Sequence, residues 1–437
     1  MLQRALFLFR RDLRLVDNTG LIHALKTAQE IIPAFILTPE QIDSNPYRSN
    51  ACLQFMIESL EDLSEQLKAQ GGKLYLFHGH CDDIVERCIR ELKIDALFVN
   101  KDYTPFSIQR DQKLAALCKK HKVEFHSFDD ALLNPPELTL KSDQKPYTVF
   151  TPFYRNASKI KVKAPEANRY RNYSHCLCSF AETPSIYKKI LPKRKDQMLG
   201  GRKAGLALLK SAARLKSDTH LSAHLKFTTV SIREVYRAFR KKTSLIRALY
   251  WRDFFSGIAF YFPRVFKGAF RENYNRIRWR ANKKLFRAWC EGKTGFPIVD
   301  AGMRQMNETG YMPNRLRMIT ASFLVKDLHI DWRLGEKYFA QQLIDYDPAV
   351  NNGNWQWCAS TGCDAVPYFR IFNPWSQQKK FDPDCKYIKT WIPELKSLSS
   401  EEIHNWQDEQ VGKIQYPAPL VDHSTEAKFS LNTYRSL

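Results

Sequence analysis

Over its first 131 residues the chain alternates short apolar runs with amphipathic stretches, which constrains it to a parallel, doubly wound sheet with helices on its faces. The runs are Ala5–Phe9, Ile31–Leu37, Lys73–Phe77, Ala96–Asn100 and Val123–Phe128. Between them Asn50–Gln70 places Leu53, Met56, Ile57, Leu60, Leu63 and Leu67 on one helical face, and Gly71-Gly72 stops it. Asp82–Leu92 and Ser107–Lys120 have the same character. No G-x-G-x-x-G follows the first strand, so an ordinary dinucleotide fingerprint is absent. The alternation fails over 132–203, where Pro135-Pro136, Pro146, Pro152, Pro165, Pro184 and Pro192 recur among Lys and Arg. That pattern predicts a long inter-domain linker running over the surface. From Ala204 helical periodicity dominates, predicting an all-α domain over 204–396 and a polar tail over 397–437.

Lys and Arg number 68 against 46 Asp and Glu, a net charge of +22 over 437 residues. Solubility needs far less, so a polyanion is the expected partner, nucleic acid ahead of an anionic membrane; charge alone does not separate the two. Hydrophobic residues at 44% exclude a disordered chain, and no apolar run approaches the roughly 18 residues of a membrane span. The first apolar run is short and is followed at once by Arg10 and Arg11, unlike a secretory signal. Ten scattered cysteines contain no C-x-x-C pair, so the expectation is reduced thiols in the cytoplasm and no metal site.

The densest signal is Asn351-Asn352-Gly353-Asn354-Trp355-Gln356-Trp357, followed by Tyr368-Phe369-Arg370-Ile371-Phe372-Asn373-Pro374. In a strand the two indoles share a face; in a helix they point about 200° apart. Either both are core residues, or one ring faces an interior ligand and the other a cleft. Upstream lie Thr294-Gly295-Phe296-Pro297, Asn314-Arg315-Leu316-Arg317-Met318, Leu343-Ile344-Asp345-Tyr346-Asp347, Trp251-Arg252-Asp253-Phe254 and Leu221-Ser222. Near the start stands Arg10-Arg11-Asp12-Leu13-Arg14-Leu15, then Asp17-Asn18. Taken in chain order and at these spacings, the motifs resemble the photolyase/cryptochrome family over nearly the whole chain, and within it the class I cyclobutane pyrimidine dimer branch.

The resemblance implies an α/β antenna domain, a linker and a helical domain that buries FAD. It implies light-driven repair of pyrimidine dimers in damaged DNA, by one electron lent from reduced flavin to a dimer flipped out of the duplex. Residue by residue, Asn351 matches the amide facing flavin N5, and Asp345 and Asp347 match two carboxylates near the isoalloxazine and ribose. Arg317 matches the partner of the first carboxylate. Thr219, Leu221 and Ser222 match part of the diphosphate segment, and Arg252 matches another flavin-side position. Trp355, Trp332 and Trp279 match the chain that carries an electron in from the surface. Trp251 and Trp357 match the aromatics that clamp the dimer, with Met318 at its other edge. Asn314, Arg315, Arg370, Lys267 and Gln377 match the DNA-facing rim. The implied partner is damaged DNA and no membrane, with the protein a monomer.

Asn314 and Met318 stand where photolyases of the (6-4) type place histidines, which favours cyclobutane-dimer repair. Two departures point the other way. Ala248 replaces a glutamate that meets the dimer in the family, and alanine neither donates nor accepts through its side chain. The segment between Lys210 and Thr219 is also short, with no matching tyrosine and with Asp218 beside the phosphate position. The alternative is a flavin-binding blue-light photoreceptor, or a family member that binds DNA without efficient repair. A second chromophore is expected after the fourth strand, near Asn100–Phe106. Phe106-Ser107 replaces the Asn-Glu pair of folate-binding members, so methenyltetrahydrofolate, a deazaflavin or no antenna all stay open.

Overall fold

Each of the five expected apolar runs forms a strand in the computed structural model, which describes residues 2–43, 45–191, 198–212, 219–406 and 414–437. They are β1 (Leu2–Phe9), β2 (Ala28–Leu37), β3 (Tyr75–His78), β4 (Ala96–Asn100) and β5 (Glu124–Phe128). All pairings are parallel, in the order β3-β2-β1-β4-β5. Successive β1 side chains enter different cores: Phe7 and Phe9 pack on one face, Leu6 and Leu8 on the other. Burial on both faces is why these strands read as continuous apolar runs. The helices include α1 (Thr19–Thr27), α2 (Asn50–Ala69), α3 (Cys81–Leu92) and α4 (Pro105–Lys120).

Pro33 stands in the middle of β2, where a missing N–H ordinarily breaks a ladder. Two residues earlier, the Ile31 N–H donates to the Asn172 carbonyl at 2.9 Å. Pro33 points its nitrogen to the same edge, in the gap before β3 pairing begins at Ala34 opposite Tyr75. No ladder bond is lost there.

The chain divides into two compact units, Met1–Pro263 with Ile344–Ala349, and Arg264–Leu343 with Val350–Leu437. In the first, residues 132–203 do more than cross the surface. They form α5 (Phe150–Ala157), whose Phe150, Phe153 and Ala157 are buried. Tyr173, Ile186 and Tyr187 join the sheet's core, and the Glu182 N–H donates to the Leu76 carbonyl at 2.7 Å. The prolines mark irregular backbone, but the apolar residues between them cover open sheet. Helices α6 (Arg202–Ala212), α7 (Ser222–Lys226) and α8 (Thr243–Tyr261) follow. The shortened stretch noted in the sequence falls largely on 213–218, outside the described residues.

The second unit is helical: α9 (Pro297–Thr309), α10 (Asn314–Ser322), α11 (Trp332–Gln342), the greater part of α12 (Pro348–Cys358), α13 (Pro374–Phe381) and α14 (His423–Arg435). The expected polar tail is therefore not a tail. Trp406 is fully buried, the Tyr434 hydroxyl donates to the Ala359 carbonyl at 2.6 Å, and His423 meets Asp327 at 2.5 Å. A polar surface pattern hid this because one face of α14 carries the anchoring groups. Among the described residues no helix is long and apolar enough to cross a membrane.

The Arg-rich N-terminal motif is a buried hub of the first unit. Arg14 has no exposed surface and forms two bonds to Asp130, at 2.7 and 2.9 Å. Arg233 reaches the same carboxylate at 2.8 Å and Asp17 at 2.8 Å. Burial alone would raise the Asp130 pKa, but Arg14 and Arg233 overcome it and hold it at about 2. Its stabilising contribution is therefore present above the ordinary carboxylate range and lost as pH falls toward 2. Asp130→Ala should cost about 3–5 kcal/mol, because it leaves the fully buried Arg14 without its carboxylate partner. Urea denaturation at neutral pH measures this, and a loss under about 1 kcal/mol would contradict the assignment.

Candidate active site

In the first unit, α8 presents Trp251, Arg252 and Asp253 in succession. The Trp251 ring lies against Phe150 of α5, with centroids 3.7 Å apart and planes 6° from parallel. Arg252 turns inward and donates to the carbonyls of Ala131 at 2.5 Å and Leu225 at 3.3 Å. Its pKa is lowered by burial and by neighbouring Arg11. Burial pushes the Asp253 carboxyl up to about 7 against the opposing Arg252 charge.

Asp347 accepts from Arg11 at 2.7 Å and from the Ala349 N–H at 3.1 Å. Burial works against ionisation, yet Arg11, Lys226 and Arg252 hold Asp347 well below the usual carboxylate range. Arg11 also reaches Asp102 at 3.4 Å. A small cleft opens beside this cluster, lined by Arg11, Asp102, Tyr103, Arg252, Ser256 and Asp347. Asp345 is buried, as is Leu221, whereas Thr219 is partly buried and Ser222 opens α7 on an exposed position. Ala248 is exposed on α8.

In the second unit the two indoles of Trp355-Gln356-Trp357 lie on a helix, so they diverge. Trp355 is 2% exposed and packs edge-on to Phe339 at 4.9 Å and Trp289 at 6.1 Å. Gly335 is needed opposite it, since a Cβ there would run into the Trp355 ring. Trp357 is half-buried, and no ring among the described residues stacks on it. Between them Gln356 accepts from the Phe270 N–H at 2.8 Å and donates to the carbonyls of Val265 and Gly268. Gln356 thus holds the segment that carries exposed Lys267. Trp332 is buried at the start of α11, and Trp279 is partly exposed. The three indoles thereby grade from the interior toward the surface.

Asn351 donates its amide to the Glu336 carboxylate at 3.0 Å and to the Glu336 carbonyl at 3.1 Å. Both bonds use Nδ2, which fixes the amide plane and leaves Oδ1 as an acceptor for another N–H. Asn314 and Arg315 are exposed; the Asn314 amide contacts the Met318 sulfur at 3.7 Å, and Arg315 lies over the Phe381 ring. Arg317 donates to the Met312 carbonyl at 2.7 Å. Arg370 is exposed beside Phe369, which is 59% exposed. Gln377 keeps its buried Oε1 without a partner among the described residues.

A separate cleft opens at the carboxyl ends of the strands, bordered by Thr38, Glu40, Cys81, Phe106, Arg110 and Lys113. Ligands of doubly wound sheets bind at this end. Phe106 faces it, whereas the Ser107 hydroxyl is engaged by Thr104 at the start of α4.

Two family models match: DNA photolyase over residues 5–169, and the FAD binding domain of DNA photolyase over residues 245–436. The chain belongs to the DNA photolyase family. The deoxyribodipyrimidine photo-lyase of Alkalihalophilus pseudofirmus is 35% identical over 98% of this chain and 97% of its own length. That of Vibrio cholerae is 35% identical over 98% of each. The archaeal photolyase of Sulfolobus tokodaii, solved with two FAD molecules, is 42% identical with a TM-score of 0.93 over all of both chains. A class III photolyase from Agrobacterium tumefaciens is 32% identical with a TM-score of 0.92, over 100% of this chain and 98% of its own.

Three groups in this photolyase fold escaped the motif reading. Phe150 lies in a Pro-rich stretch that gives no packing signal. Arg11 finds Asp347 across the length of the chain. Glu336 follows Trp332 by one helical turn, and the only signal was an acid on the same face as an indole. Burial pushes Glu336 up to about 7, against the opposing Asn351 bond. A carboxyl raised in the folded state stabilises fully below its unfolded value, and that contribution is lost as pH rises through 7. The parent protein should therefore lose about 1–3 kcal/mol of stability between pH 5 and 8 that Glu336→Gln does not lose. Parallel stability curves for the two proteins would refute this.

Proposed function

We propose that the protein is a light-driven cyclobutane pyrimidine dimer photolyase acting on damaged DNA. The observation that carries the reading is the Asn314–Met318 contact, an amide on a thioether. Neither group titrates near neutral pH. Such an edge suits a lesion whose two carbon–carbon bonds break without a proton donor, and offers nothing to one that needs imidazole.

The residues fit a flavin. Asn351 Oδ1 is left to accept from a ring N–H, while Glu336 fixes its plane. Asp345 and Asp347 are buried acceptors, and the Arg11 pair keeps Asp347 ionised. The family match adds Thr219, Leu221, Ser222, Arg252 and Arg317 as proposed flavin-binding residues. Bound FAD in its reduced form supplies a light-driven one-electron transfer to the dimer and takes the electron back. The chain's own part is to hold, stack and screen. Trp251 and half-buried Trp357 offer ring faces to the dimer, and stacking tolerates either pyrimidine. Exposed Asn314, Arg315, Lys267 and Arg370, with Gln377, are the proposed contacts to the DNA backbone. Trp355, Trp332 and Trp279 form the path for reducing equivalents. The Phe106 cleft is the proposed antenna site. Its Arg110 and Lys113 side chains suit an anionic chromophore.

One observation favours a second reading, a flavin-binding photoreceptor without efficient repair: the Ala248 methyl stands where a carboxyl would meet the dimer. The two are separated by illuminating purified flavin-loaded protein with dimer-containing DNA and counting intact thymines. Dimer loss that requires light establishes repair; bound flavin with persistent dimers establishes the photoreceptor. If repair holds, Ala248→Glu should raise the yield per absorbed photon by about two- to tenfold, as a new charge-assisted hydrogen bond at the reacting ring would. Affinity for damaged DNA should change less. An unchanged yield in protein that binds the lesion would remove residue 248 from the chemistry.

A further inference from the structure

Trp251 is one member of a stack. Its ring lies 3.7 Å from that of Phe150, nearly parallel to it. One turn earlier on α8, Arg247 holds its guanidinium 5.3 Å from the Phe150 centroid and 4.8 Å from that of Tyr154. Phe150 and Tyr154 lie one turn apart on α5, with rings 17° from parallel. Phe150 is 1% exposed, so its plane is fixed by the core. Arg247 is half-buried and has no carboxylate partner among the described residues.

These contacts have two physical consequences. Phe150 occupies one face of the Trp251 indole, with Phe255 tilted beside the ring at 5.2 Å and Phe254 edge-on at 5.6 Å, so a planar ligand cannot stack on the Phe150 side. An arginine over an aromatic face is attracted to its quadrupole, and the planar guanidinium restrains the rings it covers. Its neighbour Ala248 offers no counter-charge, so the cation is spent on the rings.

We propose that Arg247 is a positioning residue for the flipped pyrimidine dimer. With Phe150 it fixes the plane of Trp251 as a platform, and the lesion stacks on the side away from Phe150. This rests on the dimer-repair reading above. The competing role for an arginine on this helix is a plain phosphate contact, and the two differ in what they change. A phosphate contact strengthens binding to every duplex alike and steepens its salt dependence. A platform changes only the preference for damaged DNA.

The test uses the full-length, FAD-loaded protein in the dark, with two duplexes of one sequence, one of them carrying a single cyclobutane thymine dimer. Affinities are measured between about 50 and 200 mM salt. Arg247→Gln should reduce the preference for damaged DNA by about three- to tenfold, with the salt slope unchanged. Arg247→Lys, which keeps a cation over the rings, should recover most of it. Equal weakening for both duplexes with a slope smaller by about one would overturn the proposal in favour of a phosphate contact. An unchanged preference would overturn it outright. Flavin absorbance reports folding of each variant. Should Arg247→Gln not fold, Phe150→Tyr keeps the ring and Arg247→Lys the cation; both are expected to keep the parent preference, and its loss in both sinks the proposal. A parent protein with no preference for the dimer would overturn the repair reading and this inference together, whereas a preference indifferent to residue 247 overturns this inference alone.

Discussion

A guanidinium with no exposed surface must find its counter-charge inside the protein, and Arg14 dictates much of the first unit on that account. Its partner Asp130 follows the last strand, and the second cation, Arg233, opens a helix far along the chain. Removing any one of the three leaves a buried charge unpaired, so the segments arrive together or not at all. Arg11, three residues before, applies the same rule to Asp347. A carboxylate 336 residues further along the chain is thereby held on the N-terminal unit, to which Ile344–Ala349 belongs. The N-terminal arginine motif is thus first a structural device. Its chemistry is indirect, through the ionised state and fixed place it gives to Asp347.

The second unit sorts its indoles by a geometric rule. Alternate residues on a helix point about 200° apart, so Trp355 and Trp357 cannot share a fate. Trp355 is driven into the core by Gly335, whose missing side chain makes the space. Trp357 is left half-buried, with no ring among the described residues stacked on it. Gln356 between them spends its amide on the backbone of 265–270, locking the helix in rotation. A one-residue shift would put the Gln356 amide where the Trp355 ring packs on Phe339. The positions of the buried ring and of the half-buried ring are therefore one decision, made by a glutamine and a glycine.

The sheet was legible because period and burial coincide there. A strand covered on both faces is a continuous apolar run, and five such runs gave five strands in parallel order. The tail was misjudged because α14 buries single anchoring groups, Tyr434 and the acid that meets His329, rather than an apolar stripe. The linker was misjudged because proline marks irregular backbone and says nothing of what its neighbours cover. At the site, motif matching named the rings and carboxylates but not what holds them. Glu336, Phe150 and Gln356 act through burial and through partners distant in the chain, and neither has a local signature. Only packing shows that Phe150 covers one face of Trp251.

Burial also reshapes the charge that the sequence counts. Buried carboxylates such as Asp17, Asp130 and Asp347 are neutralised by arginines that are buried with them. Each such pair removes one charge of each sign from the surface and leaves the net +22 intact. The surface therefore carries a higher ratio of cations to anions than the sequence does. A polyanion senses that exterior ratio within roughly a Debye length, about 8 Å at physiological salt. Exposed Lys267, Arg315 and Arg370 belong to this surplus, whereas Arg11, Arg14 and Arg252 do not, although all six are equal in a count of composition. The strong basicity of the chain and its buried ion pairs are consequently two sides of one partition: acids that hold the fold together are withdrawn from the face that DNA would meet.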